Sequence, residues 1–547
     1  MFHLRTNKLV PLATLAALLG SARPTIADDA ETKARLESLA RSVEEQLAAS
    51  PGKAIHLMTD KPLYHPGETV WFRAWEVSVK TLGGLPGEHG ITFQLLDARG
   101  GKVLEKRVLA RGGMATNDLQ IPAGIAGGGF TLRAISDAGA KQDRSITVSA
   151  YEAPRIKKTL DFLKTSYGPG DEVTAKVTIE SPTGGPLIGV KAVAIVTVDG
   201  AEVSRANVFP DDKGRAWVRF ALPSKIAKGE GLLTVQVDGG GFVESIQRRI
   251  PIALEDVQIS LYPEGGDLVA GLPSRVYLAA KDPRNEPVEV EGQIVDDRGM
   301  LVSDFRSVWG GMARFSITPA AGRSYSVKLT KPRGASAGKA FPLPAAKASG
   351  CTMRSVDDLL SSDGEVKIKV QCTEKQDILA TAVLREKLLA RTAVATNPGA
   401  AATIALPVGK DAIGAVRLTL FDTERRPLAE RLVYRGLGAE MRVSVKADRA
   451  SYSPREKVTL TVETKDAAGK PVAADVALAV VDDTVLKYAD DKEGHILAQL
   501  YLLPEMPGQT VREPNFYFSK DRRAPEAMDL LLGTQGHRRF VWKWIGQ

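Results

Sequence analysis

The sequence predicts an all-β protein, a tandem array of about five immunoglobulin-like β-sandwich domains preceded by a signal peptide and a short helix. Three observations carry this reading. After residue 52, apolar and polar residues mostly alternate or β-branched residues dominate, with Gly, Pro, Asn and Asp between the runs. Gly (51) and Pro (31) reach 15% of the 547 residues while aromatics stay at 6%, which suits many short strands joined by turns. A seven-residue pattern also returns at intervals of domain size. Hydrophobic residues at 44% and charged residues at 25% exclude a wholly disordered chain, and the length suffices for several cores.

The N-terminus reads as a signal peptide over 1–27. His3, Arg5 and Lys8 give a basic start, residues 9–19 a short apolar run broken by Pro11 and Thr14, and Thr25-Ile26-Ala27 a small-residue cleavage site before Asp28-Asp29. A buried N-terminal helix is the competing reading. The apolar run is too short to span a membrane, and no later run of 18 apolar residues occurs. The chain is therefore expected to be exported, periplasmic or extracellular, with no transmembrane segment after signal removal. Residues 28–53 form the helical segment. Leu36, Leu39, Val43 and Leu47 recur at spacings of three and four, and Pro51-Gly52 stops the helix. Strands follow at 55–58, 70–75, 173–179 and 458–462, and Trp71 and Trp75 are expected to pack in a core.

The repeat is Tyr-x-Pro-x-acid-x-Val. It stands as Tyr64, Pro66, Glu68 and Val70, as Tyr167, Pro169, Asp171 and Val173, and as Tyr452, Pro454, Glu456 and Val458. Tyr64 and Tyr167 are 103 residues apart and Tyr167 and Tyr452 are 285 apart, which leaves room for two degenerate copies, one near Pro273 and Val276. Proline fixes φ in a turn, the carboxylate accepts a backbone N–H, valine opens a strand, and the tyrosine ring covers the sandwich end. These residues serve folding rather than forming a site.

Chemistry is hard to place. The net charge of +8 is spread among interspersed signs, so a solvated mixed surface is expected and no nucleic-acid partner. The six His are scattered without HExxH, no Gly-x-Ser-x-Gly occurs, and the Gly-rich runs match no phosphate-binding loop. Acidic pairs such as Asp482-Asp483 read as turns. No catalytic, cofactor-binding or metal-ligating residue is nominated, so neither an enzyme nor a cofactor is expected. Cys351 and Cys372 are an even pair, read as a disulfide in an exported chain, with two reduced thiols as the alternative.

Thr59-Asp60-Lys61-Pro62-Leu63-Tyr64-His65-Pro66-Gly67-Glu68-Thr69-Val70 resembles the opening strand and turn of macroglobulin domains in the alpha-2-macroglobulin and complement family. Residues 474–486 resemble the strand that precedes the bait segment in family members, and 262–272, 418–422 with 427–431, and 529–540 resemble stretches of its bacterial members. The resemblance implies macroglobulin-like domains over 54–151, 152–254 and 255–335, a β-sandwich over 336–437, and a fifth macroglobulin-like domain over 438–547. A bait-like or connector segment would occupy 487–527, with Lys487, Lys492, Arg512, Lys520, Arg522 and Arg523 as candidate protease cleavage points. The family's Cys-Gly-Glu-Gln thioester is not matched by Cys372-Thr373-Glu374-Lys375, and its helical thioester domain is not expected in a chain that runs to Gln547. The function implied is an exported, non-enzymatic scaffold that binds proteins, an endopeptidase-inhibitor relative without a thioester, its partner a protease. The alternative is a structural or outer-membrane-transport-associated envelope module that docks an envelope protein, for instance by strand addition.

Overall fold

The computed structural model describes residues 30–48, 52–149, 156–164, 166–181, 185–252, 257–283, 285–332, 339–360, 364–438, 441–482, 485, 494–506, 509 and 511–536. The signal-peptide reading, Lys487 and Lys492 lie outside them. Strand makes up 51% of the chain and helix 10%, arranged as tandem β-sandwiches.

Helix α1 (Ala30–Ala48) buries Leu36, Leu39, Ala40, Val43 and Leu47 on one stripe. Its partner is far along the chain, on Leu379, Val383 and Phe421. Arg391 ties the same face to Glu37 at 2.9 Å, and Lys80 caps the helix end through the carbonyls of Leu47 and Ala48. Burying each large aliphatic residue contributes roughly 1.5–3 kcal/mol, which holds the helix on that surface.

The first sandwich is an eight-stranded ladder that folds over at Arg111–Met114, where its two halves share a single register pair. Phe72 of Thr69–Ser78 meets Phe93 of Glu88–Leu96 across the core at 4.3 Å between ring centroids. The expectation for the tryptophans fails at Trp71, which is 58% exposed. The period of two sends Val70, Phe72 and Ala74 inward, so Trp71, Arg73 and Trp75 face outward. Trp75 is half-covered by His56, stacked at 5.6 Å, and by Arg73 at 5.1 Å.

The second sandwich sets Arg215–Ala221, Glu172–Glu180 and Lys157–Phe162 against a four-stranded sheet of Ala201–Val208, Lys191–Val198, Gly231–Asp238 and Val243–Ile250. Glu172–Glu180 alternates without a break, with Val173, Ala175, Val177 and Ile179 buried. The third sandwich pairs a three-stranded sheet centred on Ser274–Lys281 with a four-stranded one containing Glu291–Asp296. The fourth pairs Cys351–Ser355, Val366–Cys372 and Ala401–Leu406 with a five-stranded sheet whose central strand, Gly414–Phe421, is buried throughout. After it, Arg442–Ala447 and Leu460–Lys465 form a two-stranded sheet. Residues 494–506 and 511–536 then return over the third and fourth sandwiches and end in helix α2 (Ala524–Thr534).

Candidate functional site

The three tyrosine–proline turns share one geometry. In each, the acid's N–H donates 3.1 Å to the carbonyl three residues back, closing a β-turn: Glu68 to His65, Asp171 to Gly168, Glu456 to Ser453. Each carboxylate accepts the backbone N–H of that same residue at 2.8 Å. Proline occupies the second turn position, and the third is left-handed: Gly67 at φ 87°, Gly170 at 77° and Arg455 at 69°. This is a type II turn closed by a side chain. Each tyrosine hydroxyl accepts a backbone N–H, from Lys61 at 3.3 Å, Lys164 at 3.2 Å and Arg449 at 2.9 Å. Tyr64 and Tyr452 also donate to an aspartate, Asp60 and Asp448, whereas Tyr167 donates to the Thr174 carbonyl. All these contacts are local and structural, and none presents a reactive group.

Cys351 and Cys372 stand opposite each other on adjacent strands of the fourth sandwich and are disulfide-bonded. The described cleavage candidates are all exposed but differ in their pairing. Arg512 is ion-paired to Glu286 of the third sandwich. Arg523 lies over the rings of Trp309 at 4.9 Å and Phe516 at 5.6 Å and pairs with Asp521. That pairing holds the Asp521 carboxyl down at about 2. Lys520 and Arg522 are exposed, and no salt bridge engages either among the described residues. Around them the segment is docked: Trp309 stacks on Phe516 at 3.6 Å, Tyr517 is buried, and buried Glu505 accepts Arg417 Nη2 at 2.8 Å and the Arg385 N–H at 2.8 Å.

Helix α2 begins where Asp521 accepts the Arg523 N–H at 2.8 Å and Pro525 enters the first turn. It inserts between the third and fourth sandwiches and carries the fully buried Asp529. Arg431 donates to Asp529 at 2.5 Å and Arg314 at 2.6 Å, and the Tyr277 hydroxyl lies within 3.1 Å. Arg431 also reaches Glu264 at 3.1 Å, Arg275 pairs with Glu264 at 2.7 Å and Asp358 at 2.5 Å, and Arg314 closes the circuit on Asp358 at 2.6 Å. Three guanidiniums thus face three carboxylates in a junction buried at Glu264, Arg431 and Asp529 and partly open at Arg314 and Asp358. Burial pushes the Asp529 carboxyl up, and Arg431 chiefly opposes this. Burial acts upward on Asp358 too, but Arg275 and Arg314 outweigh it and hold that carboxyl below the usual range. Gly533 belongs to the same fit: a Cβ there would stand 2.3 Å from the Tyr277 ring. Sequence reasoning missed this cluster. Its only signal was that Glu264, Arg431 and Asp529 fall in stretches singled out for resemblance. Among the described residues, no group of three or more His, Cys, Asp or Glu could hold a metal ion.

Residues 54–149 match the profile of the MG2 domain, and residues 352–488 that of the alpha-2-macroglobulin bait region domain. The chain carries domains of the alpha-2-macroglobulin family. A curated alpha-2-macroglobulin of Ralstonia nicotianae is 24% identical over 219 residues, covering 36% of this chain and 14% of that protein. Among solved structures, trypsin-activated alpha-2-macroglobulin from Escherichia coli is 15% identical with a TM-score of 0.47, covering 84% of this chain and 36% of that one. A Salmonella alpha-2-macroglobulin mutant is 14% identical with a TM-score of 0.34, covering 76% and 32%. The chain therefore spans about a seventh of the curated macroglobulin's length and about a third of those solved chains. The macroglobulin bait-region match covers the fourth sandwich and the two-stranded sheet, and stops just inside the 487–527 segment.

Proposed function

We propose that this macroglobulin-like chain is an exported, non-catalytic scaffold whose partner is an endopeptidase, engaged through cleavage of the 487–527 segment and without thioester chemistry. The observation that carries the reading is the juxtaposition of the bait-region match, ending at 488, with a segment whose far end is fixed by the buried Asp529 cluster. A cut at Lys487, Lys492, Lys520 or Arg522 would separate the two-stranded sheet from the docked helix and leave both sides attached to large β-sandwich bodies. A protease held there would be hindered from reaching large substrates while small ones still enter. The basic leader of the sequence supports export, and among the described residues no helix is long and apolar enough to cross a membrane.

The test is limited trypsin digestion with mapping of the first cuts. Trypsin activity is then followed on a small chromogenic substrate and on a large protein substrate. First cuts at those four positions, a change in hydrodynamic radius, and slowing on the large substrate alone are expected. First cuts elsewhere, or equal activity on both substrates, would remove the proposal.

A further inference from the structure

Residues 442–482 repeat the opening of the second sandwich at a constant offset of 285. The ladder running from Ala175↔Phe162 to Glu180↔Lys157 returns, residue for residue, as Leu460↔Ala447 to Lys465↔Arg442. The bridge Glu180↔Pro186 returns as Lys465↔Pro471, and the bond from Leu187 N–H to the Ile179 carbonyl as Val472 N–H to the Thr464 carbonyl.

The surroundings then diverge. In the second sandwich, Arg215–Ala221 pairs antiparallel with the outer side of Glu172–Glu180, while Gly231–Asp238 and Ala201–Val208 flank Lys191–Val198. Among the described residues, no strand takes these places around 460–465 or 476–482. Positions that are core in one copy are therefore bare in the other. Val173 is fully buried but Val458 is 48% exposed, and Leu160 is 2% exposed against 51% for Val445.

Among the described residues the backbone edge is open as well. The Thr459 N–H and carbonyl are both spent on Asp448, so strand alternation turns the N–H groups of Leu460, Val462 and Thr464 to the free side. In the second sandwich the matching Ile179 N–H donates to the Gly214 carbonyl at 2.7 Å, on the side where Arg215–Ala221 runs.

We infer that residues 442–482 form a strand acceptor, completed by an antiparallel polypeptide strand of another chain that carries apolar residues at alternate positions. The second sandwich states the chemistry of that occupant: Ala216, Val218 and Phe220 point inward from Arg215–Ala221. A helix laid on the face would leave the edge N–H groups unpaired, whereas a strand satisfies them and fills the apolar face together.

The experiment uses the full chain, without protease, and a fluorescent synthetic peptide copying residues 212–222, read by anisotropy. Saturable binding is expected. It should weaken at least about tenfold, or ~1.4 kcal/mol, when the peptide carries Val218→Asp with Phe220→Asp. The same loss is expected when the chain carries Val458→Asp, a change at an exposed position that leaves its unfolding transition in place. Binding no tighter than that of a scrambled peptide overturns the inference, as does binding indifferent to Val458→Asp. So does a dimer by sedimentation that Val458→Asp dissolves, since a second copy would then be the occupant. Amides of 460, 462 and 464 protected from exchange in the free monomer also overturn it, because the edge would already be filled from within the chain.

Discussion

At the residue scale, the same seven-residue signature does the same local work in three settings, fully covered at Tyr64 and Tyr167 and partly exposed at Tyr452. The Tyr64 hydroxyl is buried and makes two hydrogen bonds. Tyr64→Phe should lower the stability of the first sandwich by about 1 kcal/mol in denaturant unfolding. Tyr452→Phe should do much less, because water can replace its bonds. Gly67 adopts φ 87° with only Ala123 within reach of an added Cβ, so Gly67→Arg should cost about 1–2 kcal/mol from backbone conformation alone. The third copy already bears this cost at Arg455. The Asp529 cluster sets the residue-level pH response. Asp358 is held below the ~3.9 of a free aspartate, so its contribution is complete above that value and is lost as pH falls through the lower folded value. Asp529 is shifted up, so its contribution runs the other way and is lost as pH rises through its folded value. Asp358→Asn should therefore flatten the acid limb of the unfolding profile below about pH 4, measured by fluorescence.

At the element scale, α2 is held by shape as much as by charge. Gly533→Ala would drive a methyl group into the buried Tyr277 ring, so the helix must lift. Hydrogen exchange should show amides of 524–534 losing protection while the strands of the third and fourth sandwiches keep theirs. The turn chemistry, the period-two strands and the amphipathic stripe of α1 could all be read from neighbouring residues, because their causes lie within a few positions. What α1 packs against could not, since Leu379 and Phe421 lie more than 300 residues away. Trp71 shows the opposite error: its type suggested a core, and the phase of its own strand turned it outward.

At the scale of the whole molecule, sandwiches are strung in sequence but tied across it. Ser166 bonds Glu289 between the second and third, Gly265 accepts the Glu430 N–H between the third and fourth, and α1 ties the chain start to the fourth. The fourth is further closed by Cys351–Cys372, a 21-residue loop. Replacing both cysteines by alanine should lower its stability by about 3 kcal/mol, seen as a shifted denaturant midpoint that no longer responds to reductant.

The sequence by itself determined the class of fold, the spacing of its repeats and the chemistry of each turn, because alternation, proline and short-range carboxylate bonds act locally. Only the tertiary structure decided that Asp529 meets Arg431 and Arg314, that Arg512 and Arg523 are ion-paired while Lys520 and Arg522 have no salt bridge among the described residues, and that Val458 after the third signature is exposed where Val173 is buried. Those outcomes depend on which distant surfaces meet. Burial and charge pairing are properties of that meeting, and nothing in the flanking residues specifies them.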